Sequence, residues 1–158
     1  MSGRPIIAVD VDEVLADFIP TLAGYHNDTF GSSLTSRSFF SYEFHDVWGG
    51  SVEECNEKML SFFESSHFRE KVPPIEGAYE ALRGLKERMG AELHIVTSRQ
   101  HAIKDITLEW IDKHFPGVFK AVHFGNHYAK EGMKKSKPQM CEEIGALCII
   151  DDLSLIHI

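Results

Sequence analysis

Three short apolar runs, each closed by polar residues of catalytic type, constrain this chain more than any other feature. Ile6-Ile7-Ala8-Val9 ends in Asp10-Val11-Asp12, Leu93-His94-Ile95-Val96 ends in Thr97-Ser98-Arg99, and Ala146-Leu147-Cys148-Ile149-Ile150 ends in Asp151-Asp152. Runs that are apolar on both faces suit strands of a parallel sheet covered by helices on either side. Val118 to Phe124 is a less regular fourth candidate. Between the runs lie helical patterns. Ile75 to Met89 carries Ala78, Leu82, Leu85 and Met89 on one face and stops at Gly90; Ile103 to Phe115 repeats Ile103, Ile106, Trp110 and Ile111. Ser136 with Gln139 forms the pattern of a capping box, opening a helix that Gly145 ends. Strands alternating with helices predict βαβ units and an α/β fold: a three-layer, Rossmann-like parallel sheet.

Residues 17–74 break that rhythm. An aromatic run (Phe39, Phe40, Tyr42, Phe44, Trp48) precedes a helix capped by Ser51 and Glu54 that carries Met59, Leu60, Phe62 and Phe63. Pro73-Pro74 marks the return to alternation. The expected organisation is an α/β core, 1–16 and 75–158, with a small helical insert, 17–74, after the first strand. A chain of 158 residues is long enough to bury such a core without staples.

Charge narrows the partners. The net charge is −8, and it is uneven: the first 74 residues carry 12 acids and 5 bases, the rest 12 and 11. An acidic half lacks the clustered Lys and Arg that a nucleic-acid backbone needs, so no nucleic acid polymer is expected as a partner. The aromatic run reads as insert core rather than a base-stacking platform for the same reason. Cys55, Cys141 and Cys148 have no metal-type spacing and read as reduced intracellular thiols. The N-terminus reaches two aspartates after one short apolar run, which is no signal-peptide pattern. No stretch approaches the roughly 18–20 apolar residues that span a membrane. The expectation is an intracellular protein, cytoplasmic or within an organelle, with no membrane partner.

In open α/β sheets ligands bind outside the carboxyl ends of the strands, so Asp10, Asp12, Thr97, Ser98, Asp151 and Asp152 can converge there. Crowded carboxylates repel, and a hard divalent cation relieves them; Mg²⁺ fits, because it accepts a few carboxylates plus water and phosphate oxygens. Thr97-Ser98 at a helix N-terminus supplies donors for an anion, and Lys137 a fixed positive charge. Together these parts describe phosphoryl transfer. Each alone has a structural reading: the Asp pairs as caps or turns, Thr97-Ser98 as a helix cap, Lys137 as part of a solvated face with Lys130, Lys134 and Lys135. His123, His127 and Tyr128, around Gly125-Asn126, either line the site or hold a loop, and Arg99 either contacts substrate or caps a helix.

Asp10-Val11-Asp12-Glu13-Val14-Leu15-Ala16-Asp17-Phe18 resembles the first motif (DxDxV/T) of the haloacid dehalogenase superfamily of phosphatases. Thr97-Ser98 is similar to its second motif, Lys137 to its third and Asp151-Asp152 to its fourth. The run VLADF resembles the 5′(3′)-deoxyribonucleotidase branch, whose helical cap follows the first strand. The resemblance implies a phosphatase in which Asp10 is the nucleophile and Asp12 the general acid and base. Mg²⁺ would be held by Asp10, the Asp12 backbone carbonyl and Asp151, with Asp152 behind them. Thr97, Ser98 and Lys137 would bind the phosphate of a nucleoside or deoxynucleoside 5′-monophosphate, and Phe18 either contacts the nucleobase or packs in the cap core. A phosphatase of another small phosphorylated metabolite, or a catalytically silent remnant that binds a partner, remains open. Two departures stand out. Glu13 occupies a position where many relatives have Gly, so the expectation is either a different turn after Asp12 or a Glu that reaches the metal region. After Asp152 only six residues remain, where relatives continue with a helix and a further strand. The resemblance therefore implies a truncated C-terminal end, an open edge on the strand 146–150, and self-association through it.

Overall fold

The computed structural model describes residues 3–127 and 129–152. Tyr128 and the tail from Leu153, on which some of these expectations fall, lie outside the described residues. In chain order the elements are β1 (Ile6–Val9), α1 (Phe18–Phe30), α2 (Phe44–Trp48), α3 (Val52–Glu64), α4 (Ser66–Glu70), α5 (Ala78–Met89), β2 (Glu92–Thr97), α6 (Lys104–His114), β3 (Ala121–Phe124), α7 (Lys137–Ile144) and β4 (Cys148–Ile150). They fall into two units, Met1–Ala16 with Pro74–Ile158, and Asp17–Pro73.

In the first unit four strands pair in parallel in the order β3-β2-β1-β4. β1 and β2 are the inner strands, which is why Ala8, Val9, Ile95 and Val96 are all completely buried. On one face Ala8 and Val96 pack against Met140 of α7, with Ile144 and Ile149 beside them. The α/β fold with a parallel sheet is as the apolar runs predict.

Element ends differ where backbone groups have other partners. α5 starts at Ala78 rather than Ile75, because the Ile75 N–H donates to the Leu15 carbonyl at 2.8 Å and Gly77 precedes the helix in the left-handed region. A short 3₁₀ turn, His101–Ile103, precedes α6. β3 is shorter than 118–124, since Val118 is in a turn that bonds back to Phe115. The run 146–150 forms a shorter strand, and β4 lies at an edge of the described sheet, as the open edge expected there requires; Cys148 is exposed and Leu147 is 72% exposed. Ala146 instead closes α7, its N–H bonding the Cys141 carbonyl after Gly145 turns left-handed.

The second unit is helical. α3 opens on the capping box that its sequence shows: Ser51 Oγ accepts from the Glu54 N–H and Glu54 Oε2 from the Ser51 N–H. Phe18, Phe62 and Phe68 pack edge to face at its centre. The aromatic run is only partly core. Phe39, Phe44 and Trp48 touch one another and Trp48 stacks on His26, but Phe40 and Tyr42 are exposed.

The exit from β3 gives a stability test. Gly125 donates to the Thr97 carbonyl and accepts from the Lys135 N–H, and a Cβ there would lie 2.6 Å from the Lys135 carbonyl oxygen. Gly125→Ala should cost about 1–3 kcal/mol in urea unfolding. Gly84→Ala, inside α5 with open space around it, should instead stabilise by about 0.5–1 kcal/mol.

Candidate active site

Sheet register builds the centre of the site. Val9 pairs with Ile150, and the Asp10 N–H extends that ladder to the Ile150 carbonyl at 3.0 Å. The next residues of the two strands, Asp10 and Asp151, are thereby carried to the same sheet end. Beyond Asp10 the chain folds into a tight turn, in which Leu15 and Ala16 both donate to the Val11 carbonyl and Glu13 donates to Ala16. Glu13 takes a left-handed φ of 60°, a conformation that glycine adopts without strain. The departure from Gly thus leaves a glycine-like turn with a side chain on it.

Lys137 opens α7, whose N-cap Ser136 accepts from the Gln139 N–H, and Pro138 fits the first turn. Its Nζ donates to Asp10 Oδ2 and Asp151 Oδ2, 2.7 Å in each case, and all three side chains are buried. Oxygens of Asp10, Asp151 and Asp152 lie within 4.8 Å of one another. Burial pushes the Asp10 carboxyl up to about 7; Lys137 opposes that rise, and the charges of Asp12 and Asp151 add to it. Asp152 rises to about 6 through burial, hydrogen bonding to Asp151 and that neighbour's charge. Burial works against the Lys137 charge, but Asp10 and Asp151 outweigh it and the ammonium titrates above its usual range.

Asp12 points elsewhere. Its two carboxylate oxygens accept from Arg99, Oδ1 from Nη2 at 2.6 Å and Oδ2 from Nε at 3.1 Å. Arg99 was open between contacting substrate and capping a helix, and this pairing is a third role. The remaining arm, Nη1, donates to Thr107 Oγ1 of α6, a fully buried hydroxyl that itself donates to the Ile103 carbonyl. Nothing in the sequence linked Arg99 to Asp12 across 87 positions; an Arg directly after the Thr-Ser pair was the one available signal.

Thr97 and Ser98 do not stand at a helix N-terminus, because α6 begins only at Lys104. Thr97 ends β2, is completely buried, and its Oγ1 accepts from the Arg99 N–H; Ser98 is half-buried. The loop after β3 is pinned by Asn126, buried with φ 56°, which donates to the Glu131 and Met133 carbonyls and accepts from the His101 N–H. His127 contacts the Lys135 carbonyl, a loop-holding role. His123 stacks on His94 at 5.4 Å, with 3.1 Å between ring nitrogens. Phe18 is buried in the helical unit against Phe62 and Phe68, the core role of the two open to it.

The parallel sheet in the order β3-β2-β1-β4, with helices between its strands, is a fold that solved haloacid dehalogenase-like structures share. A haloacid dehalogenase-like family hydrolase from Streptococcus pneumoniae superposes with TM-score 0.66 at 16% identity, over 98% of this chain and 78% of that one. A HAD-superfamily hydrolase, subfamily IA, from Geobacter sulfurreducens gives 0.61 at 16%, over 98% and 80%. More particularly, the model of the 5′ nucleotidase, deoxy (Pyrimidine), cytosolic type C protein family matches residues 4–130, and the chain belongs to that family. The mitochondrial 5′(3′)-deoxyribonucleotidase of Homo sapiens is 28% identical over 123 residues, 72% of this chain and 52% of that protein. The Mus musculus protein of the same name is 29% identical over 117 residues, 69% and 52%. The chain spans about half the length of these curated relatives. Asp10, Asp12, Thr97 and Ser98 fall inside the matched span, whereas Lys137, Asp151 and Asp152 lie beyond it and rest on geometry.

The raised carboxyls fix the sign of a pH effect. A folded-state pKa above the unfolded one gives stability that is present in full below about pH 4 and is lost as pH rises through about 6 and 7. Metal-free protein should therefore lose stability relative to Asp10→Asn between about pH 4 and 7 and level off above that, at up to about 1.4 kcal/mol per pH unit. Comparison with the variant cancels the histidines that titrate in the same window. Lys137→Met, which leaves Asp10 and Asp151 buried without their cation, should cost about 3–5 kcal/mol in metal-free protein at neutral pH. Thermal and urea melts of the three proteins check both.

Proposed function

We propose that this chain is a Mg²⁺-dependent phosphomonoester hydrolase that works through an aspartyl-phosphate on Asp10 and prefers a nucleoside or deoxynucleoside 5′-monophosphate. The observation that carries the proposal is Lys137 held at 2.7 Å from both Asp10 and Asp151 at the carboxyl end of the inner strands. The family match supports the nucleotide as substrate class. Three carboxylates with oxygens within 4.8 Å are a hard, all-oxygen donor set that suits Mg²⁺. The charge fits as well: once a bound cation holds them ionised, the four aspartates exceed the two cations Lys137 and Arg99 by two charges. Asp10, Asp151 and the Asp12 backbone carbonyl would hold the ion, with Asp152 beside them. Once bound, Mg²⁺ would keep Asp10 ionised and neutralise phosphate charge.

The chain's own groups divide the remaining work. Asp10 Oδ attacks phosphorus as the ester oxygen leaves, and splitting hydrolysis in two lowers each barrier. Asp12 gives its proton to the leaving alkoxide, then takes one from the water that cleaves the aspartyl-phosphate. Lys137 and Ser98 bind phosphate oxygens, with Thr97 behind them ordering the turn. A site inside the cell belongs to the same proposal, supported by three free cysteines. Among the described residues no helix is long and apolar enough to cross a membrane.

The test is hydrolysis with and without Mg²⁺ across nucleotides, sugar phosphates and p-nitrophenyl phosphate. Wild type should need Mg²⁺, and Asp10→Asn should lose several orders of magnitude on every ester. In the first, phosphorylating step, read as a single turnover of alcohol release, Asp12→Asn should be far milder on the aryl ester, because a phenolate needs little protonation, while the later attack of water loses its base on both esters. Equal damage to that first step on both ester types would contradict the assigned roles. Activity confined to sugar phosphates would replace the nucleotide.

A further inference from the structure

We infer that Arg99 is a positioning residue that aims Asp12 at the leaving group, with Thr107 as its anchor. The inference rests on the phosphatase reading and gives Arg99 work that this reading leaves undone. Asp12 stands on the turn after β1 with its side chain 30% exposed, two residues from Asp10. An unheld carboxylate there has several rotamers, and only some present a proton to an ester oxygen at Asp10. The Arg99 fork removes that freedom, because a bidentate guanidinium fixes both the position and the plane of the carboxylate. The guanidinium is itself fixed: its side chain is 6% exposed and its third arm ends on the buried Thr107 hydroxyl, which is tied to the Ile103 carbonyl. Two loops and a helix thus converge on one carboxylate. Each Asp12 oxygen keeps a second lone pair, so the fork orients the carboxyl without blocking the position through which a proton passes. A lysine could supply the charge but not the planar fork.

This differs from binding substrate phosphate and from merely holding the fold, and each alternative has its own signature. In single turnovers with Mg²⁺, Arg99→Met should slow release of the deoxynucleoside from its 5′-monophosphate about 10–100-fold with KM within twofold. Release of p-nitrophenolate should stay within about threefold, copying the Asp12→Asn pattern in this first step. Arg99→Lys should recover only part of the nucleotide rate, and added guanidinium should rescue Arg99→Met on the nucleotide alone. Equal loss on both esters would make the role structural, and a rise in KM alone would make Arg99 a phosphate ligand; either overturns the inference. Should Arg99→Met fail to fold, Thr107→Val keeps the charge and removes the anchor, and must show a smaller loss with the same leaving-group bias. A readout without turnover is the melting temperature of metal-free Arg99→Met, Asp12→Ala and the double variant. The double variant should melt no lower than the worse single one, and additive losses would mean that the pair does not form in solution. Wild type inactive on every ester fails the phosphatase reading, whereas active wild type with unbiased Arg99 variants fails this one.

Discussion

Lys137 places one ammonium 2.7 Å from two buried carboxylates that arrive from different strands, Asp10 after β1 and Asp151 after β4. Taking charges out of water is expensive, and geometry has to be good for their attraction to offset it. Here the geometry comes from the sheet: the Val9–Ile150 pairing sets both aspartates at one edge, and α7 begins at the residue that meets them. The offset is incomplete. Asp10 stays near 7, and Asp152 adds a further carboxyl raised to about 6. Carboxyls that resist ionisation although a lysine already sits between two of them are groups whose charged form a further cation would favour.

Asp12 is separated from that cluster although it is two residues from Asp10. Environment, not sequence position, divides the two aspartates: one is buried on a lysine, the other half-covered and gripped by arginine. Two carboxylates with unlike surroundings are what a reaction needing both a nucleophile and an acid requires.

The α/β fold could be read because inner parallel strands are buried on both faces and so are written as continuous apolar runs, as at Ile6–Val9 and Leu93–Val96. The run 146–150 overstates its strand: its composition is that of a strand buried on both faces, but the closing turn of α7 takes Ala146 and β4 begins only at Cys148. Strand ends were readable too, since catalytic-type residues interrupt apolar runs abruptly. What stayed hidden depends on tertiary partners: Arg99 reaching Asp12, Thr107 as a buried anchor, and Thr97 turned inward. Glu13 lies between these cases. A non-glycine residue there suggests a changed turn, yet the backbone keeps the left-handed φ that glycine would take.

The central claim is that Asp10 carries the phosphoryl group. Beryllium fluoride with Mg²⁺ mimics an aspartyl-phosphate by bonding to a carboxylate oxygen, so ¹⁹F NMR of the complex tests that claim directly. Wild type should show bound fluorine resonances that need Mg²⁺ and vanish in Asp10→Asn, while Asp12→Asn keeps them. Bound resonances that persist in Asp10→Asn, or none in Mg²⁺-loaded wild type, would contradict the account.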